Sequence, residues 1–184
     1  MYEGKNPTAL QSQKWLIDSL ISLMSEKPFS KITVMDICKR ADLSRQTFYN
    51  FFTDKEEMLR DYLRSQYIGE LEKYKDKPRV TISELVSSFI FVLTENEKIF
   101  TYMLDNDLEI IIAEEIAACV DTFSEYFIIE EKKDSMLVYT KSLMTGAIGN
   151  IFVCWLKQEK RATQEELTAL FYDFFQGRIY NIAI

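Results

Sequence analysis

Apolar residues recur along nearly the whole chain at spacings of three and four, the period of a helix that buries one face. Leu16, Ile17, Leu20, Ile21, Leu23 and Met24 predict an amphipathic helix over about 8–25, which Pro28 in EKPFSKI ends. Thr33 followed by Asp36 resembles a capping box with Asp in place of Glu, and it opens a short helix over about 34–41. After the turn ADLS, Ser44 can cap a third over about 44–51. Thr53 with Glu56, or Asp54 with Glu57, can cap a fourth that runs to about 75, with acids crowded into the first turn where the helix dipole favours them. Thr81 or Ser83 starts a helix through about 94, and another covers about 97–104. The next begins at 105–107 and ends near Phe127. A long helix over about 135–157 and a last one, capped by Thr163 with Glu166 and reaching about Arg178, complete nine.

Composition agrees with an all-α protein. Of 184 residues, 47% are hydrophobic and 14% aromatic, so a substantial core is available, while 5 Gly and 3 Pro leave little punctuation for hairpins. The expected organisation is a three-helix head over 1–55, linked through the helix at about 54–75 to a larger helical domain over 56–184.

The net charge of −7 argues against a polyanionic partner until it is divided. Residues 1–66 carry ten Lys+Arg against nine Asp+Glu, and residues 67–184 carry twelve against twenty. Any phosphate-binding role therefore falls in the N-terminal third, because phosphate contacts need local cations.

The chain has no His, no Gly-rich phosphate loop, no GxSxG and no CxxC pair. The commonest general base and metal ligand are missing, and the adjacent pairs Glu114-Glu115 and Glu130-Glu131 diverge on a helix. The reading is a non-enzyme with no metal and no cofactor. Cys38, Cys119 and Cys154 form no disulfide framework and are expected as buried thiols in a reducing cytoplasm. The longest uncharged stretch, 142–156, is short for a bilayer span, so no membrane partner is expected.

The second and third helices, joined by a tight turn and braced by the first, make a helix-turn-helix arrangement. Leu20, Met24, Val34, Ile37, Cys38, Leu43, Phe48 and Phe52 supply its own core. Burying them leaves Arg45, Gln46 and Thr47 at the start of the third helix. Arg can pair with guanine, Gln with adenine, and Thr offers a methyl group to thymine. Thr33 and Lys55, each at a helix N-terminus, with Tyr49 and Lys31 nearby, suit phosphates. The competing reading is a merely solvated polar face.

The stretch KITVMDICKRADLSRQTFYNFFTDKEEML resembles the DNA-binding domain of the TetR family of transcriptional regulators. Thr33, Val34, Ile37, Ala41, Ser44, Thr47, Phe48, Tyr49, Phe52, Lys55, Glu56 and Leu59 carry the resemblance. It implies Thr33, Tyr49 and Lys55 as phosphate contacts on an operator duplex, and Arg45, Gln46 and Thr47 as base readers. The family's usual turn Gly is Asp42 here, which tolerates a left-handed backbone. Gln46 stands where a small residue is common.

The helix over 135–157 is apolar nearly all round, with Gly146 and Gly149 permitting close approach, and the last helix carries an apolar stripe. The pair is either buried inside a monomer or doubled across a twofold axis into a four-helix homodimer interface. The resemblance implies the homodimer, for which Gly146, Gly149, Phe152, Trp155, Leu167, Leu170, Phe171 and Phe174 are the expected interface residues. GAIGNIFVCWLKQEKRATQEELTALF is similar to the last two helices of a TetR branch that includes regulators of dihydroxyacetone-kinase operons.

The family also implies a small-molecule effector. Phe89, Phe100, Tyr102, Met103, Phe123, Tyr126 and Tyr139 are the expected pocket residues, against plain core packing of the same aromatics. A ligand-responsive repressor is expected, with a coactivator working through another protein as the alternative.

Overall fold

The structure, a computed structural model, describes residues 7–77, 80–124 and 134–176. Every α-helix or strand among them is a helix: α1 (Pro7–Met24), α2 (Val34–Ala41), α3 (Arg45–Tyr49), α4 (Lys55–Leu71), α5 (Ile82–Glu95), α6 (Glu97–Leu104), α7 (Glu109–Ser124), α8 (Asp134–Lys157) and α9 (Gln164–Phe175). Two 3-10 turns, Phe29–Lys31 and Glu72–Tyr74, follow α1 and α4.

The caps explain most of the boundaries. Thr33, Thr81 and Thr163 each accept from an amide three residues on, and the acid there reaches back to the cap's own N–H. At α4 the Asp54 carboxylate takes the amides of Glu56 and Glu57, both at 2.8 Å, and Glu57 returns to Thr53. The start expected at 105–107 for α7 is displaced to Glu109. Asp107 is left-handed with φ 58°, and the Leu108 N–H closes on the Met103 carbonyl, so these residues finish α6 instead. The expected ends near Phe127 and Arg178 lie outside the described residues.

Two compact units result. The smaller, here called the head, holds the N-terminal stretch through Ser65 together with Tyr102–Glu109; the larger holds Gln66–Thr101 and the chain from Ile110 on. The head is thus larger than a 1–55 domain, and α6 has its first residues in one unit and its last in the other.

Leu16, Leu20, Leu23, Met24, Phe29, Ile32, Ile37, Phe48, Phe52, Met58 and Leu59 make the head's core. Val34 and Leu43, expected there, are half-buried. In the larger unit Phe100 meets Phe152 edge-on at 4.8 Å and Phe89 meets Phe171 at 6.3 Å.

α8 from Met136 to Lys157 is long and apolar enough, on length and composition alone, to cross a bilayer, and within it Ile148, Phe152, Trp155 and Leu156 are the buried apolar residues. Within it Lys141 pairs with Asp121 of α7 at 2.8 Å. Cys38 and Cys119 are buried, and burial raises both thiol pKa values. Cys154 is exposed, which corrects the expectation of three buried thiols: its side chain sits on a part of α8 that none of the described residues covers.

Candidate nucleic-acid interface

α3 is seated by one buried ring and one cap. Phe48 has no exposed surface, and its ring lies 5.7 Å from Phe52 and 5.3 Å from Tyr49. Ser44 accepts from the Thr47 N–H at 3.0 Å. Asp42, with φ 53° and ψ 43°, turns the chain between α2 and α3, and the Leu43 N–H returns to the Cys38 carbonyl.

With Phe48 inward, the helical period puts Arg45, Gln46 and Tyr49 outside, and all three are exposed. The Arg45 guanidinium stands 5.9 Å from the Tyr49 ring centroid, which holds it against the helix surface. Thr47 differs from its neighbours. It is half-buried and its hydroxyl lies 2.9 Å from that of Ser44, so its hydrogen bonding is local.

The four residues expected at phosphates separate in a similar way. Lys31 and Tyr49 are exposed. Thr33 is exposed too, with its hydroxyl donating to Asp36 at 2.7 Å inside the capping box. Lys55 points inward: its ammonium donates to the carbonyls of Phe29 and Ile32, at 2.8 Å to the latter, and lies 4.3 Å from the Phe29 ring centroid. Burial pulls its pKa below the ordinary lysine value. Its charge holds the α1–α2 connection. Nearby, Arg40 is engaged by both carboxylate oxygens of Glu26, and Lys27 pairs with Asp36 at 2.8 Å. Lys31, Lys39, Arg40 and Arg45 are the exposed cations on α2, α3 and the turn before them, Arg40 being the one held by Glu26.

The residues expected around an effector fall in both units. Phe89, Phe100 and Met103 are buried, the first two against Phe171 and Phe152. Tyr102 is half-buried and, with Met103, belongs to the head, while Tyr139 is exposed on α8. The Phe123 side chain and Tyr126 lie outside the described residues. Among the described residues, surface grooves are lined by Trp15, Ser22 and Arg40 on the head, and by Ser87, Thr168 and Tyr172 between α5 and α9.

The expected dimer residues divide by face. Phe152, Trp155, Leu167 and Phe171 are buried within their own unit, and Trp155 Nε1 donates to the Ala162 carbonyl at 2.8 Å. A Cβ on Gly149 would meet Ile116 at 3.8 Å, so it too faces its own chain. Gly146 and Leu170 are exposed and Phe174 is half-buried. Sequence reasoning missed the rest of the exposed apolar surface of α8: Met136, Val138 and Leu143, together with Tyr139. The missing signal was that no element among the described residues covers this face, which a sequence does not contain.

Comparison with known proteins adds to this geometry. The profile of bacterial regulatory proteins of the tetR family matches residues 16–62. The chain is 40% identical over 48 residues to the HTH-type dhaKLM operon transcriptional activator DhaS of Lactococcus lactis, a match that spans 26% of each protein. Two solved structures share the fold at low identity. Lin0861 of Listeria innocua superposes with a TM-score of 0.76 over 96% of each chain at 15% identity. A TetR transcriptional regulator of Streptococcus agalactiae superposes with a TM-score of 0.62 over 91% of this chain and 94% of that one at 21% identity.

Proposed function

We propose that this chain, whose residues 16–62 match the tetR family of bacterial regulatory proteins, is a DNA-binding transcriptional regulator of that kind: a homodimeric, cytoplasmic, ligand-responsive repressor of a palindromic operator. One observation carries the DNA part: α3 is bolted down by buried Phe48 and shows Arg45 and Gln46 to solvent beside exposed Lys31 and Tyr49. Arg45 and Gln46 are the base readers, with Thr47 limited to a methyl contact. Lys31, Thr33 and Tyr49 take phosphates, and Lys55 acts from behind by fixing the approach to α2.

Two copies are needed to place two such helices in successive major grooves, about 34 Å apart. The dimer surface is the stripe Met136, Tyr139, Leu143 and Gly146 on α8, spaced three, four and three, with Leu170 on α9. Ligand response is proposed from the family match alone; an effector acts only through different affinities for two arrangements of the dimer.

The test is titration of a duplex spanning the promoter region of the protein's own gene at several salt concentrations. Arg45→Ala should weaken binding by about 1–3 kcal/mol and relax preference at one base position. Unchanged affinity and preference would remove Arg45 from the reading.

A second reading is activation, directly or through a protein partner. Its support is that the relative matched over 48 residues is named a transcriptional activator, and that residues 1–66 are nearly neutral. A reporter fused to the same promoter decides the sign: deletion of the regulator lowers expression under activation and raises it under repression.

A further inference from the structure

The turn after α6 reaches a part of the head that DNA reading alone does not explain. Asp107 stops the helix, and the Leu108 N–H returns to the Met103 carbonyl at 3.0 Å. This holds the Asn106 carboxamide in one orientation. Its Nδ2 donates to the Tyr102 carbonyl at 2.7 Å, and its Oδ1 accepts from the N–H of Phe29, 77 residues away in sequence. One partner is an acceptor and the other a donor, so both ends of the amide are used and neither can be exchanged for the other.

Phe29 begins the 3-10 turn whose neighbouring carbonyls receive the Lys55 ammonium. Thr33, the cap of α2, comes one residue after Ile32. The segment leading into α2 is therefore gripped on its donor side by the α6 turn and on its acceptor side by α4.

We propose that Asn106 is a positioning residue for DNA binding: it latches the end of α6 to the Phe29 peptide and so fixes where α2, and with it α3, stands. The proposal rests on the DNA-binding reading above. Hydrogen bonds to base edges and phosphates tolerate only a few tenths of an ångström, so a loosened segment before α2 weakens all of them together.

The test uses full-length protein with Asn106→Leu and Asn106→Asp, at a temperature where each is folded. Asn106→Leu loses both hydrogen bonds. Asn106→Asp keeps the acceptor for Phe29 but puts a negative charge at the α6 C-terminus, where the dipole disfavours it. Affinity for the promoter duplex should fall about tenfold in Asn106→Leu and stay within about threefold in Asn106→Asp, although the Asp variant is the less stable than wild type. Amide exchange at Phe29 should accelerate in Asn106→Leu and hold in Asn106→Asp. Unchanged affinity in Asn106→Leu, or affinities that simply follow the unfolding temperatures, would overturn the latch. Should Asn106→Leu fail to fold, Asn106→Ser, which is too short to reach, takes its place with the same expectations. A wild-type chain that ignores the duplex defeats the DNA reading itself, and exchange at Phe29 then decides the latch alone.

Discussion

α3 and α8 are opposites within one chain. α3 has five residues, one fully buried ring and a polar outer face. α8 has 24 residues, a buried side carrying Phe152 and Trp155, and an apolar outer face. A short helix cannot hold itself together, so α3 depends on its cap and on Phe48. A long helix could stand on far less, yet α8 leaves Val138, Tyr139 and Leu143 each more than 60% exposed. Polar residues on a rigid short helix need nothing further for solubility. Contiguous apolar residues on a long one mark a surface that a partner covers. The first suits a polyanion, the second another copy of the chain.

Substitutions on the two faces of α8 break or sharpen this contrast most strongly. Phe152→Ala empties a packed site and should cost about 3–5 kcal/mol of unfolding free energy. Leu143→Asp should leave the protomer folded, because Leu143 is 67% exposed. It should convert the proposed dimer to monomer at micromolar concentration, since two carboxylates would be desolvated at the twofold, a penalty of several kcal/mol. Sedimentation with thermal unfolding separates the two effects. A Leu143→Asp protein that remains dimeric ends the assignment of this stripe.

In the head the corresponding contrast is between two lysines. Lys55→Ala removes the donor to two carbonyls of the α1–α2 connection and should destabilise the head by about 1–3 kcal/mol, visible as faster amide exchange from Phe29 to Ile37. Lys31→Ala should leave stability unchanged and reduce the slope of log affinity against log salt by about 1. The reverse pattern would return Lys55 to the phosphates and take Lys31 away from them.

What sequence made legible follows the range of the interactions. Thr33, Ser44, Thr81 and Thr163 cap through amides three residues on, and so could be read directly. Asp42 could be read from the tolerance of Asp for a left-handed turn. The inward turn of Lys55 depends on carbonyls 23 and 26 residues upstream, and the Asn106 contact on an amide 77 residues upstream. Neither has a local signature. On α8, Phe152 and Leu143 are equally apolar, and a helix hydrophobic all round carries no period to say which side the core takes. The same blindness made Cys154 look buried.

The smallest expected effect compares the two units through one motif. Asp36 in the head and Glu84 in the larger unit are both the reaching-back acids of capping boxes. Lys27, with the Thr33 amide and hydroxyl, holds Asp36 well below the usual carboxylate range. The Thr81 amide, with Lys77 at 2.9 Å, lowers Glu84 from 4.5 to about 2. A carboxylate with a depressed folded-state pKa contributes stability that is present above its unfolded value and lost as pH falls towards its folded value. For Glu84 the loss runs from about pH 4.5 down to about 2, and for Asp36 it extends lower. Glu84→Gln keeps an oxygen for the box but has no charge to lose. Its unfolding midpoint should therefore fall less steeply than that of wild type between those pH values, by a margin kept small by solvent screening. Asp36→Asn should flatten the acid limb of the head in the same direction and into more acidic solution. Parallel wild-type and Glu84→Gln curves across that window would mean that the cap holds through geometry alone, in which case the two units lose their acids without consequence and differ only in what their outer faces present.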